Sequence, residues 1–167
     1  SSDVCSSDLE TTGLDPEQDH IIEIGAQKIL AGKVIDEWST FVETKRTLSQ
    51  DIQNLTGITP KMLEGAPSIQ TVFRHFLKMI EGSILVAHNA NFDYSFIVEV
   101  CKNLQIELEW PAFCTLKLAR ELLPQLERKN LDSLAKHFEL TFESRHRSIG
   151  DVKVTASVLE NLLKSEG

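Results

Sequence analysis

Between Ser83 and Leu104 the apolar pattern changes period, and this change limits the possible folds more than any other feature of the chain. Ser83-Ile84-Leu85-Val86-Ala87 is an unbroken, largely apolar run of strand length, as expected where both faces of a strand are covered. After His88 the spacing becomes helical, with Phe92, Phe96, Val100 and Leu104 four residues apart. A covered strand that turns at once into a helix is a unit of α/β architecture.

The rest of the chain extends this unit. Ile22, Ile24 and Ala26 alternate with Glu23, Gly25 and Gln27, and Lys28 to Leu30 lead into Ala31-Gly32-Lys33, a turn signal. Residues 34–42 carry Ile35, Trp38 and Phe41 among polar neighbours and close an antiparallel hairpin. Residues 49–55 predict a short helix stopped at Gly57, and Thr59-Pro60 starts another. Ser68 caps a helix with the apolar face Ile69, Val72, Phe73, Phe76, Leu77 and Ile80, ended by Gly82. Residues 112–114 read as a brief strand, followed by helices over 115–123 and 131–138 and a polar segment over 143–147. A last helix carries Val152, Thr155, Leu159 and Leu162 on one side. The expected fold is α/β, a mixed sheet flanked by helices.

With 167 residues and 41% hydrophobic composition the chain can bury one ordinary core, so one domain over residues 10–167 is expected. Residues 1–8 and the start of Leu9 fit the codons AGTTCAGACGTGTGCTCTTCCGATCT, a common sequencing-adapter read. Residues 1–9 are therefore expected to be an adapter-derived scar overlapping the first strand, which would leave that strand damaged or missing. The apolar runs fall far short of the roughly 20 residues that span a bilayer, and nothing resembles a secretory leader. A soluble cytoplasmic protein without a membrane partner is the expectation. Cys5, Cys101 and Cys114 show no close pairing, which disfavours a disulfide framework or a thiolate zinc site. Cys101 and Cys114 read as small core residues. The formal net charge of −8 is the wrong sign for nonspecific grip on phosphate backbones. If the partner is nucleic acid, cations must act locally.

Acidic residues supply a way to hold them. Asp8 and Glu10 lie two apart, so on a strand they project from one face, where two hard anions attract a hard divalent cation. In His88-Asn89-Ala90-Asn91-Phe92-Asp93 an acid stands in the first helical turn after a buried strand, at the sheet end where α/β proteins bind ligands. Asn89 or Asn91 can equally cap that helix, with Asp93 favoured by its positive end. His146 lies in the polar segment and Asp151 begins the final helix, offering a base and a further ligand.

In order, Asp-x-Glu-Thr-Thr-Gly-Leu, His-Asn-Ala-x-Phe-Asp and His-Arg-x-x-x-Asp resemble the motifs of the DnaQ-like DEDDh exonuclease superfamily. The resemblance covers the chain from Glu10 onward, including Leu55-Thr56-Gly57-Ile58-Thr59 and Leu118-Ala119-Arg120. It implies an RNase H-like fold with a five-stranded mixed sheet, and a 3′→5′ exonuclease of proofreading or repair type that releases nucleoside 5′-monophosphates. It also implies two divalent cations, Mg²⁺ or Mn²⁺, held by Asp8, Glu10, Asp93 and Asp151, with His146 as general base. Thr11, Thr12 and Gly13 would lie along the 3′-terminal nucleotide with Leu14 near the last base, and Thr56 and Asn89 would flank the same pocket. The implied partner is a single-stranded 3′ end, DNA favoured, with a polymerase or fused domain supplying grip on long strands.

Two other readings stay open at this point. An RNA-trimming exonuclease would use the same motifs, since contacts to the 2′-OH decide the sugar. An inactive nucleic-acid-binding module would keep the fold without metal, against the intact set of four carboxylates and His146.

Overall fold

In the computed structural model, which describes residues 3–107 and 112–166, five strands join one sheet in the order β3-β2-β1-β4-β5. The strands are β1 (Asp3–Thr11), β2 (Ile21–Leu30), β3 (Lys33–Phe41), β4 (Ser83–Ala87) and β5 (Ala112–Cys114). The β1–β2 and β2–β3 pairs are antiparallel, whereas β4 runs parallel to both β1 and β5. The helices are α1 (Gln50–Thr56), α2 (Ile69–Ile80), α3 (Ala90–Asn103), α4 (Thr115–Leu122), α5 (Leu131–His137) and α6 (Ser148–Glu166). Residues Pro60–Leu63 form a 3-10 turn. This is the mixed sheet flanked by helices that the sequence pattern implies.

Local chemistry accounts for the element ends. Ala31 and Gly32 both take left-handed backbone geometry, as a two-residue hairpin turn between twisted strands requires. The side chains of Ser49 and Ser68 accept from the backbone amides of Ile52 and Thr71, capping α1 and α2. Gly57 ends α1 with a left-handed C-cap.

The two sheet faces are covered differently. Cys5, Leu9, Ile24 and Ala26 pack with Phe73, Phe76, Phe96 and Ile97 of α2 and α3. The opposite face of β1 and β2 lies under α6. This second cover buries Glu23 and Gln27, the polar members of the β2 alternation. Gly25 permits the close approach, because a Cβ there would stand 2.8 Å from the Ser148 Oγ at the start of α6. The single stripe read for α6 is corrected too. Val154, Val158 and Leu162 pack with Ala119, Leu131 and Leu134 of α4 and α5, while Leu159 is only half-buried. A helix wedged between a sheet and two helices needs two apolar faces.

Strand β1 is central, its residues Asp3–Thr11 lying between β2 and β4. Its sequence is nevertheless unusual for that place, since Ser6 and Ser7 are both fully covered. The Ser6 hydroxyl donates to the Val152 carbonyl at 3.1 Å, but the Ser7 hydroxyl has no partner. A buried unpaired hydroxyl costs about 1–3 kcal/mol. Ser7→Ala is therefore expected to stabilise the chain by about 1 kcal/mol, read as a rise in the denaturation midpoint. An unchanged or lower midpoint would show that Ser7 is paired in solution.

Cys5 and Cys101 are buried free thiols, and burial pushes the Cys5 thiol up to about 12. The Cys114 side chain lies outside the described residues. Among the described residues no helix is long and apolar enough to cross a membrane.

Candidate metal centre and its cleft

The acids read from sequence meet at one end of the sheet. Asp8 and Glu10 leave the same face of β1, opposite Gly25 and Glu23 of β2. Asp93 sits in the first turn of α3 and Asp151 in the first turn of α6, both buried. One oxygen from each of Asp8, Glu10 and Asp151 lies within 4.8 Å of the others. Asp93 joins them electrostatically, since its charge acts on Asp8 and Glu10 and that of Asp151 acts on Asp93.

Burial raises all four acids, and neighbouring carboxylates add to it for Asp8, Glu10 and Asp93. Asp8 and Asp93 stand well above the carboxylate range, first through burial and then through neighbouring carboxylates. Glu10 is pushed up to about 9, by burial and then by Asp151, Glu23 and Asp93. Asp151 is raised by burial against the opposing pull of Arg145. Asp8 Oδ2 and Asp93 Oδ2 are buried without any hydrogen-bond partner. Orphaned hard oxygens from several elements fit a divalent cation, which would relieve the repulsion and use the lone pairs.

His146 stands beside this cluster in a left-handed conformation with φ 61°. Its backbone amide donates to Asp151 Oδ1 at 3.3 Å, and its ring Nδ1 lies 3.3 Å from Arg145 Nη1. Burial and the Arg145 charge lower its pKa, against Asp151 and Asp132, which keeps the ring neutral near pH 7 and able to accept a proton.

The other sequence candidates differ in availability. The Thr11 hydroxyl donates to the Gly13 carbonyl at 2.6 Å, and the Thr12 hydroxyl donates to Asp19 at 3.0 Å while accepting from the His20 amide. Gly13 has no room for a side chain, because a Cβ would stand 2.4 Å from the Asp19 carboxylate. Leu14 projects outward, 84% exposed. Thr56 is buried at the end of α1, its hydroxyl donating to the Ile52 carbonyl and accepting from the Ile58 amide. Asn89 adopts φ 58° at the start of α3 and makes no side-chain cap, so capping does not explain it. It lines a cleft of about 540 Å³ together with Asp8, Asp151, His88 and Arg145.

Sequence reasoning missed the residues that hold this site in place. His88 bridges the Thr115 hydroxyl and the Lys129 carbonyl, at 2.7 and 3.0 Å, tying the end of β4 to the far cleft wall with Arg120 and Lys129. Arg147 grips buried Glu23 through Nε and Nη2 at 3.1 and 2.9 Å, and the Ser148 amide donates to the same carboxylate at 2.7 Å. This clasp fixes the His146 segment and the start of α6 to β2. Arg145 sits between Asp132 and Asp151. The only sequence signal was the Arg-His-Arg string itself, which gives no partners.

A family model described as Exonuclease matches residues 6–159. The DNA polymerase III PolC-type of Caldanaerobacter subterraneus subsp. tengcongensis is 43% identical over 157 residues, 94% of this chain but 11% of that protein. The chain thus spans about a ninth of the length of such relatives. The solved structure of exonuclease X in complex with 5′ overhanging duplex DNA superposes with a TM-score of 0.78 at 30% identity, covering 98% of this chain and 93% of that one. The nuclease domain of 3′hExo, a DEDDh family member bound to rAMP, shares the fold at 19% identity and a TM-score of 0.80, covering 98% and 92%.

Proposed function

Because the chain belongs to the exonuclease family whose model spans residues 6–159, we propose that it is a DEDDh-type enzyme that hydrolyses phosphodiester bonds from the 3′ end of single-stranded DNA and releases nucleoside 5′-monophosphates. The observation that carries this reading is the convergence of four raised carboxylates, two of them with buried oxygens that have no partner. Asp8, Glu10, Asp93 and Asp151 would hold two divalent cations, Mg²⁺ or Mn²⁺. Such cations, when bound, lower the pKa of an attacking water and stabilise the departing 3′ oxygen. His146, held neutral, takes the proton of that water. Exposed Leu14 offers an apolar face to the terminal base, Gly13 would lie along the nucleotide, and Asn89 lines the cleft. Thr11, Thr12 and Thr56 shape the surrounding backbone through their own hydrogen bonds.

The relatives' length supports a polymerase or fused domain as the source of grip, since a net charge of −8 holds long strands weakly. That setting makes a cytoplasmic replication or repair role the natural one. The buried serines of β1 support the reading of residues 1–9 as adapter-derived, with the domain at 10–167. The genomic sequence upstream of Glu10 tests it.

Matched single-stranded DNA and RNA oligonucleotides, labelled at either end, test the activity. Shortening from the 3′ end of DNA with Mg²⁺ or Mn²⁺, and none with EDTA, is expected. Metal-independent cutting or release from the 5′ end would refute the reading, and faster trimming of RNA would reassign the substrate.

Cation binding should also appear in stability. Saturation at about 100 times Kd adds roughly 2.7 kcal/mol, which a melting curve detects and EDTA reverses. In the metal-free chain Glu10, pushed up to about 9, keeps its proton when folded but loses it near pH 4 when unfolded. Stability is therefore expected to fall as pH rises from about 4 towards the folded value of about 9 for Glu10. Saturating Mn²⁺ should flatten that slope, and a metal-free midpoint that rises over the range would contradict the cluster's repulsion.

A further inference from the structure

The four carboxylates are not equally open. Asp8 Oδ2 and Asp93 Oδ2 have no partner, whereas both oxygens of Asp151 are engaged. Oδ1 accepts from the His146 amide at 3.3 Å and Oδ2 from Arg145 Nη1 at 2.8 Å. An arriving cation therefore meets free oxygens on one side and an oxygen already capped by a guanidinium on the other.

Arg145 is held so that only part of it is committed to the cluster. Its Nε and Nη2 grip Asp132 of α5 at 2.7 and 3.2 Å, and its Cζ lies 5.0 Å over the Phe142 ring. Only Nη1 reaches Asp151. The side chain is 26% exposed, against 5% for Asp151, so the anchor lies towards solvent and the bond to be broken lies inward. The positive charge of Arg145 acts on Asp8, Glu10 and Asp151 alike. A guanidinium and a divalent cation on one carboxylate oxygen repel each other strongly in a partly buried site.

We infer that Arg145 is a displaceable internal counter-ion of the metal centre, whose release from Asp151 sets how tightly that side takes its cation; the inference rests on the exonuclease reading of the site. Asp132 and Phe142 keep the released guanidinium at the cleft edge. Because Nη1 is also 3.3 Å from His146 Nδ1, the same movement removes a donor from the imidazole. Cation binding and the freeing of the base are thereby coupled.

Calorimetric titration of the chain with Mn²⁺ alone tests this. Arg145→Gln, which removes the charge, is expected to bind Mn²⁺ about tenfold more tightly than the unsubstituted chain. Arg145→Lys keeps the charge and should stay within about threefold of it. Equal tightening in both variants, or none in the glutamine variant, overturns the inference. Should the glutamine variant not fold without metal, the guanidinium nitrogen resonances of Arg145 are followed in the unsubstituted chain during a Mg²⁺ titration. They are expected to move with the binding midpoint, and resonances that stay still overturn the inference. An unsubstituted chain that binds no Mn²⁺ fails the exonuclease reading and the inference together. Normal binding with unchanged variants fails the inference alone.

Discussion

Asp93→Ala should abolish exonuclease activity, with turnover on single-stranded DNA falling at least about 10³-fold, as expected when a two-metal site loses a ligand. The variant also carries an internal control against misfolding. Asp93 is buried, raised by burial and by Asp151, and leaves Oδ2 without a partner. Its removal relieves repulsion in the metal-free chain, so the metal-free variant should melt at or above the unsubstituted temperature. The added stability from Mn²⁺ should shrink in parallel with activity. Full activity in Asp93→Ala would end the metal-centre reading, whereas a large drop in the metal-free melting temperature would mean that Asp93 serves the fold.

The second large effect is expected at a residue that touches no reacting group. Arg147→Ala strips Glu23 of a two-pronged partner while leaving its carboxylate buried beneath α6. Breaking such a pair costs about 3–5 kcal/mol. Because the Arg147 side chain is 31% exposed, the low end applies, about 3 kcal/mol in chemical denaturation. The clasp also fixes the segment that carries His146 and the first turn of α6 that carries Asp151. A displacement of about 1 Å there is worth about 10²-fold in turnover, so activity should fall by that order even where the variant is fully folded. Arg147→Lys should rescue little, since a lysine cannot supply the planar fork. If both stability and turnover survive Arg147→Ala, the clasp does not hold the site.

How much of this was readable in advance varies with the residue. The strand-to-helix switch at His88 gave β4 and α3, because unbroken apolarity and a four-residue spacing are local signatures of burial. Ser49, Ser68 and Gly57 announced helix ends, because capping is decided within one turn. Glu23 was legible only as the polar member of an alternation. Its burial depends on α6 arriving over β2, and its partner lies 124 residues away. Asn89 looked like a cap, yet it takes a left-handed backbone, makes no side-chain cap and lines the cleft, a property of the strand-to-helix junction that composition does not encode.

By itself, then, the sequence determined the supply of chemistry: which acids, which histidine, and the periodicities that make strands and helices. Those features depend on residue type and near-neighbour spacing. Only the tertiary structure decided which carboxylate oxygens remain without partners and that Arg145 divides its guanidinium between Asp132 and Asp151. It also decided that Arg147 and Glu23 pin the base-bearing segment to the sheet. These outcomes depend on which faces of distant elements meet and how closely they approach, and hydrophobic periodicity reports that a face is buried without saying against what.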